Sequence, residues 1–176
     1  MPTTLNADTL ARISFPIEGE NLPAPSVSAI LHAFPYVWIQ FLRHLGCIYC
    51  KGLVQDIRAF MESWNQEPRP FLLFVHPNTL EEGRKFFAQF YGGAAHIADP
   101  EQKLYRIFGV KRTNLLREML SQNFFRLYTL LRRGLRNEKP TADPWILHAS
   151  FLFHHGKLVW HYYAKSLGDV PQWRVA

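Results

Sequence analysis

Residues 36–42, Tyr36-Val37-Trp38-Ile39-Gln40-Phe41-Leu42, are apolar or aromatic at every position except Gln40. A run without polar alternation has to be covered on both faces, so it predicts a central strand of a layered fold rather than a sheet with one face in water. Gly46, Cys47, Ile48, Tyr49 and Cys50 follow shortly after it. Leu53, Val54, Ile57, Phe60, Met61 and Trp64 then fall at helical spacing, with Lys51, Gln55, Asp56, Arg58 and Glu62 between them. This spacing predicts an amphipathic helix with the charged positions, Lys51 included, turned to water.

The alternation of strand and helix continues. Phe71 to Val75 predicts a second buried strand. Thr79 and Glu82 have the spacing of a capping box for a helix that carries Phe86, Phe87, Phe90 and Tyr91 on one side until Gly92-Gly93. Ala95 to Ala98 predicts a third short strand, and Asp99-Pro100 opens a helical turn through Leu104, Tyr105 and Phe108 to Gly109. After a polar break at Asn137–Asp143, the runs Ala149–Phe153 and Leu158–Tyr163 flank His154-His155-Gly156-Lys157 and predict a hairpin. The expected fold is a single α/β domain over residues 1–176, a sandwich with a mixed central sheet whose antiparallel side is the C-terminal hairpin. Residues 1–35, with Pro2, Pro16, Pro23, Pro25 and Pro35, are expected to form an extended lead-in.

Charge is concentrated in one segment. Residues 101–139 hold ten Lys/Arg against three acids, more than the whole chain's net charge of +6. Within them a helical pattern from about Thr113 to Gly134 carries Leu115, Leu116, Met119, Leu120, Phe124, Leu127 and Leu131, so residues 111–139 are expected to be a basic helical insertion. Its partners would be an acidic protein or an anionic membrane surface, unless its cations are only a solvated face. The aromatic residues Tyr36, Trp38, Trp160 and Tyr162 lack the spacing of a nucleobase platform, and no nucleic acid is expected. A hydrophobic content of 48% excludes wholesale disorder. No basic leader followed by a long apolar run is present, and no stretch has the roughly 18 apolar residues of a membrane-spanning helix, so a cytoplasmic location is expected.

Cys47 and Cys50 are the chain's only cysteines, too few for a disulfide framework. Two cysteines three apart where a strand passes into a helix suit redox chemistry. Unsatisfied N–H groups and the positive helix end stabilise a thiolate at the first, and the second lies one turn on, within reach of its sulfur. Arg43 and His44, just before the pair, would lower the thiol pKa further if their side chains turn toward it. Two other readings stay open: an inert pair in the core, or half of a zinc site needing two more ligands. His148 is read as a polar group at the start of a strand, and His154 and His155 as turn residues.

The Gly46–Cys50 turn, the segment Phe71–Tyr91, the run from Ile97-Ala98-Asp99-Pro100 to Phe108-Gly109 and the hairpin around Gly156 resemble the thioredoxin-like superfamily. More closely, they resemble its peroxiredoxin-like branch, the relatives of alkyl hydroperoxide reductase and thiol-specific antioxidant. The likeness spans about residues 34–170. It implies a thioredoxin-like three-layer sandwich, thiol chemistry without metal or organic cofactor, a peroxide or disulfide substrate, an external thiol reductant, and Cys47 and Cys50 as the reactive pair. The peroxiredoxin pattern Pro-x-x-x-Thr-x-x-Cys finds Gln40 and His44 in its first two positions when Cys47 is the cysteine, and Arg43 and Cys47 when Cys50 is. The competing expectation is a redox-inactive or redox-sensing module that docks through its basic helix.

Overall fold

The computed structural model describes residues 12–114, 118 and 124–171. In chain order its elements are β1 (Glu18–Glu20), α1 (Val27–Ala33), β2 (Tyr36–Phe41), α2 (Ile48–Glu62), β3 (Phe71–His76), α3 (Leu80–Phe90), β4 (Ala95–Ala98), α4 (Lys103–Ile107), α5 (Phe124–Arg132), β5 (Ala149–His154) and β6 (Lys157–Tyr163). The six strands make one sheet in the order β1-β4-β3-β2-β5-β6. Strands β2, β3 and β4 run parallel, while β5 joins β2 and β1 joins β4 antiparallel.

The unbroken apolar character of β2 has the consequence anticipated for it. Val37, Ile39 and Phe41 enter one core with Ile30 and Leu31 of α1 and Leu104 and Tyr105 of α4. Trp38 and Leu42 enter the other with α2, α3 and Leu130 of α5. Alternate side chains on a strand point to opposite faces, so a strand covered on both sides has no position to leave polar. Gln40 is the exception, and it is satisfied: its Nε2 donates to Phe41 O at 2.9 Å and Ala149 O at 3.1 Å, and Ser150 Oγ donates to its Oε1. The result is a three-layer α/β sandwich with a mixed sheet and a C-terminal hairpin.

Of the expected extended lead-in, residues 1–11 lie outside the described residues, and residues 12–35 depart from it. Within them β1 adds the edge strand, and α1 forms because Ser26 Oγ accepts from Ala29 N at 3.2 Å while Val27, Ile30 and Leu31 bury one face. Pro25 and Pro35 flank this helix rather than interrupt it, so the proline count hid it. The Thr79–Glu82 capping box is present, and Asp99 opens α4 by accepting from Lys103 N at 2.9 Å and Leu104 N at 2.8 Å. The hairpin turns on two positive φ values, 47° at His155 and 73° at Gly156, the second of which glycine adopts without strain.

Of the basic insertion, residues 111–114, 118 and 124–139 are described; α5 is followed by a strap over residues 136–141. Leu115, Leu116, Arg117, Met119 and Leu120 lie outside the described residues. Helix α5 does not present all its cations to solvent, because Arg126 and Arg133 both reach back to Asp56 of α2, at 3.3 and 2.6 Å.

Candidate redox site

Cys47 is the N-cap of α2, at the end of the loop that leaves β2. Its side chain makes no regular cap hydrogen bond. The orphan N–H of Ile48 is taken instead by Asn137 Oδ1 at 2.9 Å, from 89 residues away. Arg43, buried beside the loop, spreads its guanidinium across three acceptors. Its Nη1 donates to Cys47 Sγ at 2.8 Å, its Nε to Ile146 O at 2.8 Å and its Nη2 to Pro144 O. The two backbone carbonyls fix the planar group, and the remaining nitrogen is aimed at sulfur.

This arrangement separates the two thiols. Burial alone pushes the Cys47 pKa up. The Cys50 thiol donating to its sulfur, the Arg43 charge and the N–H groups of Cys50 and Tyr49 pointing at it outweigh that and bring it down to about 6. Burial and the neighbouring Cys47 thiolate hold Cys50 well above the ordinary thiol value. The two thiols are thus pushed apart, Cys47 toward thiolate and Cys50 toward thiol. Both are reduced here and both are buried, Cys47 at 3% and Cys50 at 1% exposure.

A strap from the end of the insertion provides that cover. Glu138 N donates to Gly46 O at 2.9 Å, and Lys51 Nζ donates to Arg136 O at 3.1 Å and pairs with the Glu138 carboxylate. Asn78 ties the other side, accepting from Leu45 N at 3.2 Å and donating to Thr141 Oγ1 at 2.6 Å. An open cleft of about 190 Å³ beside the loop is lined by Gly46, Lys51, Phe86, Phe90, Glu138 and Thr141 among others; it reaches Gly46 and stops short of Cys47.

The expectation for His44 requires correction. It makes no hydrogen bond to either sulfur among the described residues, its Nδ1 is unpartnered, and burial with the Arg43 charge lowers its pKa to about 4. A neutral imidazole lends no positive charge to Cys47. Lys51 also departs from the helical-wheel reading, being buried under the strap rather than turned to water. His148 precedes β5 as expected but is fully enclosed, both ring nitrogens without a hydrogen-bond partner, with burial and Arg43 lowering its pKa to about 4. Among the described residues no group of three or more His, Cys, Asp or Glu is placed to hold a metal ion. No described helix is long and apolar enough to cross a membrane.

The strap residues and Asn78 were missed by sequence reasoning. Asn137 and Glu138 sit in a stretch that reads only as a polar break, and nothing local ties them to a loop ninety residues earlier. Arg43 was found because of its proximity to the pair in sequence.

The profile of the AhpC/TSA antioxidant enzyme family matches residues 56–166, well over half of the chain. The chain belongs to that family. The matched span begins after Cys50, so membership rests on β3, β4, α3, α4 and the hairpin rather than on β2 or the cysteines. Comparison with curated proteins finds no match. Among solved structures, the chain is similar to peroxiredoxin Q of Xanthomonas campestris at 16% identity, over 86% of this chain and 81% of that one, with a TM-score of 0.59. The bacterioferritin comigratory protein of the same organism, described for its alkyl peroxide reduction activity, is similar at 16% identity over 86% and 82%, TM-score 0.59. The dsbF protein of MTB is similar at 13% identity over 88% and 87%, TM-score 0.54. At these identities the likeness establishes the thioredoxin-like fold of the family.

Proposed function

We propose that this member of the AhpC/TSA family is a thiol peroxidase that reduces small hydroperoxides, with Cys47 as the attacking thiolate and Cys50 as the resolving thiol. The observation that carries the reading is the contact of Arg43 Nη1 with Cys47 Sγ, made at a helix start where Cys50 donates to the same sulfur. The Cys47 thiolate attacks the terminal oxygen of the hydroperoxide and the O–O bond breaks. The alkoxide takes up a proton and leaves as an alcohol, and Cys47 becomes a sulfenic acid. Cys50 then loses its proton, its sulfur attacks Cys47 Sγ, and hydroxide leaves with that proton as water, forming the disulfide. An external thiol donor, of the kind a reducing cytosol supplies, restores the dithiol through a mixed disulfide. The cycle needs neither metal nor organic cofactor.

The depth of the site favours peroxides over protein disulfides. A sulfur 3% exposed under a strap admits a molecule of a few heavy atoms on a small fluctuation, whereas a folded protein would have to displace the strap. The alkyl peroxide reduction ascribed to the Xanthomonas campestris relative is consistent with this choice.

Titration of free thiols after stoichiometric alkyl hydroperoxide tests the reading. The wild type is expected to lose both thiols, Cys47→Ser to lose none, and Cys50→Ser to hold a sulfenic acid that a dimedone-type reagent traps. Full peroxide consumption by Cys47→Ser would overturn it.

A further inference from the structure

Helix α5 carries apolar residues on its outer face as well as on the face that packs against the core. At 3.6 residues per turn, Leu131, Phe124, Tyr128, Arg132 and Phe125 share an arc of about 120°, and Arg126, Leu127, Leu130 and Arg133 lie opposite. Of the second set, Leu130 is buried and packs on Gly52 of α2, Leu127 and Arg126 are half-buried, and Arg133, just past the helix end, stays exposed; Arg126 and Arg133 share the one carboxylate of Asp56. The first set faces out, with Phe124 at 77%, Phe125 at 81%, Tyr128 at 57% and Leu131 at 40% exposure. Two arginines are thus held by the protein while three aromatics and a leucine are left to solvent, an arrangement that solvation alone disfavours.

The charge around the arc selects the occupant. Arg132 lies within it, its guanidinium 5.9 Å from the Tyr128 ring centre, and Arg136 follows just beyond the helix. Among the described residues of 124–136 there is no acid. A second copy of the chain docking by the same face would set Arg132 against its own image. An apolar protein groove would have to desolvate the guanidinium in the middle of the contact. At a lipid surface both conflicts vanish. The aromatic rings enter the acyl boundary while the arginines remain in the headgroup layer beside phosphate.

We infer that the outward face of α5 docks on anionic phospholipid surfaces, inserting Phe124 and Phe125 with Arg132 and Arg136 on the headgroups. The inference is independent of the redox reading, since none of these residues touches Cys47 or Cys50.

Co-sedimentation of the full chain with phosphatidylcholine vesicles, with and without phosphatidylserine, tests it. Binding is expected on the mixed vesicles, weakening as salt is raised. Phe124→Ser with Phe125→Ser should reduce that binding about tenfold or more, and Arg132→Gln should reduce it only where phosphatidylserine is present. All three positions are exposed, so circular dichroism and Cys47 thiol reactivity should match the wild type. The inference fails if the wild type does not bind the mixed vesicles, or binds both kinds equally. It also fails if the double Phe variant binds as well as the wild type, or if sedimentation shows a dimer that the same variant dissolves.

Discussion

Leu130 of α5 lies directly over Gly52 of α2, its Cδ2 only 2.3 Å from where a Cβ on that glycine would stand. The absence of a side chain at Gly52 is what lets α5 lie against α2. Leu130 is itself buried at the contact.

Gly52→Ala should therefore lower stability by about 1–3 kcal/mol through overpacking, despite the higher helix propensity of alanine. Thermal or denaturant melts measure it. Adding Leu130→Ala should recover part of the loss, because the second truncation removes the clashing atoms. If Gly52→Ala proves stabilising, the two helices are not in the contact described.

Arg43 supplies both charge and a hydrogen bond to Cys47, and Arg43→Leu should raise the Cys47 pKa from about 6 toward the ordinary thiol value near 8.5. Thiolate ultraviolet absorbance against pH reads the shift directly. The Cys50 hydrogen bond and the backbone N–H groups remain, so the thiolate fraction at pH 7 would fall by less than the roughly thirtyfold drop of a full return to the ordinary value, and the greater intrinsic nucleophilicity of a more basic thiolate would recover part of the rate. The same variant leaves Ile146 O and Pro144 O without their donor, a further cost of about 1–3 kcal/mol if both stay buried.

The strap governs access. A Cβ on Gly46 would stand 2.8 Å from Lys139 O, a backbone atom that cannot yield without moving the strap. Gly46→Ala should lift that segment, and Asn137→Ala should both loosen it and uncap Ile48 N, at a cost of about 1 kcal/mol. Both variants should alkylate at Cys47 several times faster than the wild type in reducing buffer, as followed by mass spectrometry. Unchanged rates would mean the sulfur is reached by another route.

The protein should lose stability in mild acid. Burial lowers the His76 pKa to about 3, with His96 adding to the effect, and lowers His148 to about 4, with Arg43 adding. Both are unprotonated in the fold and titrate near 6.5 in the unfolded chain. As pH falls below about 6.5 the unfolded chain takes up protons that the folded one refuses. Stability should then drop by up to about 1.4 kcal/mol per pH unit for each of the two until the folded pKa is passed. His44, also lowered to about 4, acts in the same direction. The Cys47 thiolate contributes with the same sign over a higher window: its stabilisation is complete above the unfolded thiol pKa and is lost as pH falls through about 6. Chemical melts of the reduced protein at pH 5, 7 and 9 separate the windows, because Cys47→Ser should flatten only the upper one.

Much of this architecture could be read from residue patterns, and the reason is locality. The strand β2 announces itself by being apolar on both faces, α3 by a capping box whose partners are three residues apart, and the hairpin by two β-rich runs around His155-Gly156. Cys47, Cys50 and Arg43 lie within eight consecutive positions, so their meeting required no knowledge of the fold. What stayed hidden depends on distant pairing. The edge strand β1 is three residues with no pattern of its own, defined by its register against β4. Lys51 occupies a position that the helical wheel assigns to water, and only the arrival of Glu138 and Arg136 O makes it an inside residue. The pairing of Arg126 and Arg133 likewise needs Asp56, about seventy residues earlier, to be seen.

The carbonyls that hold the Arg43 guanidinium, Pro144 O and Ile146 O, follow the strap within a few residues of Thr141. Exposure and activation are thereby set against each other. A displacement large enough to admit a bulky partner also slackens the grip on the cation that keeps the nucleophile ionised. On the proposed peroxidase reading, reactivity should be greatest toward whatever slips in without disturbing the cover, so that substrates are selected by how little they ask the fold to move.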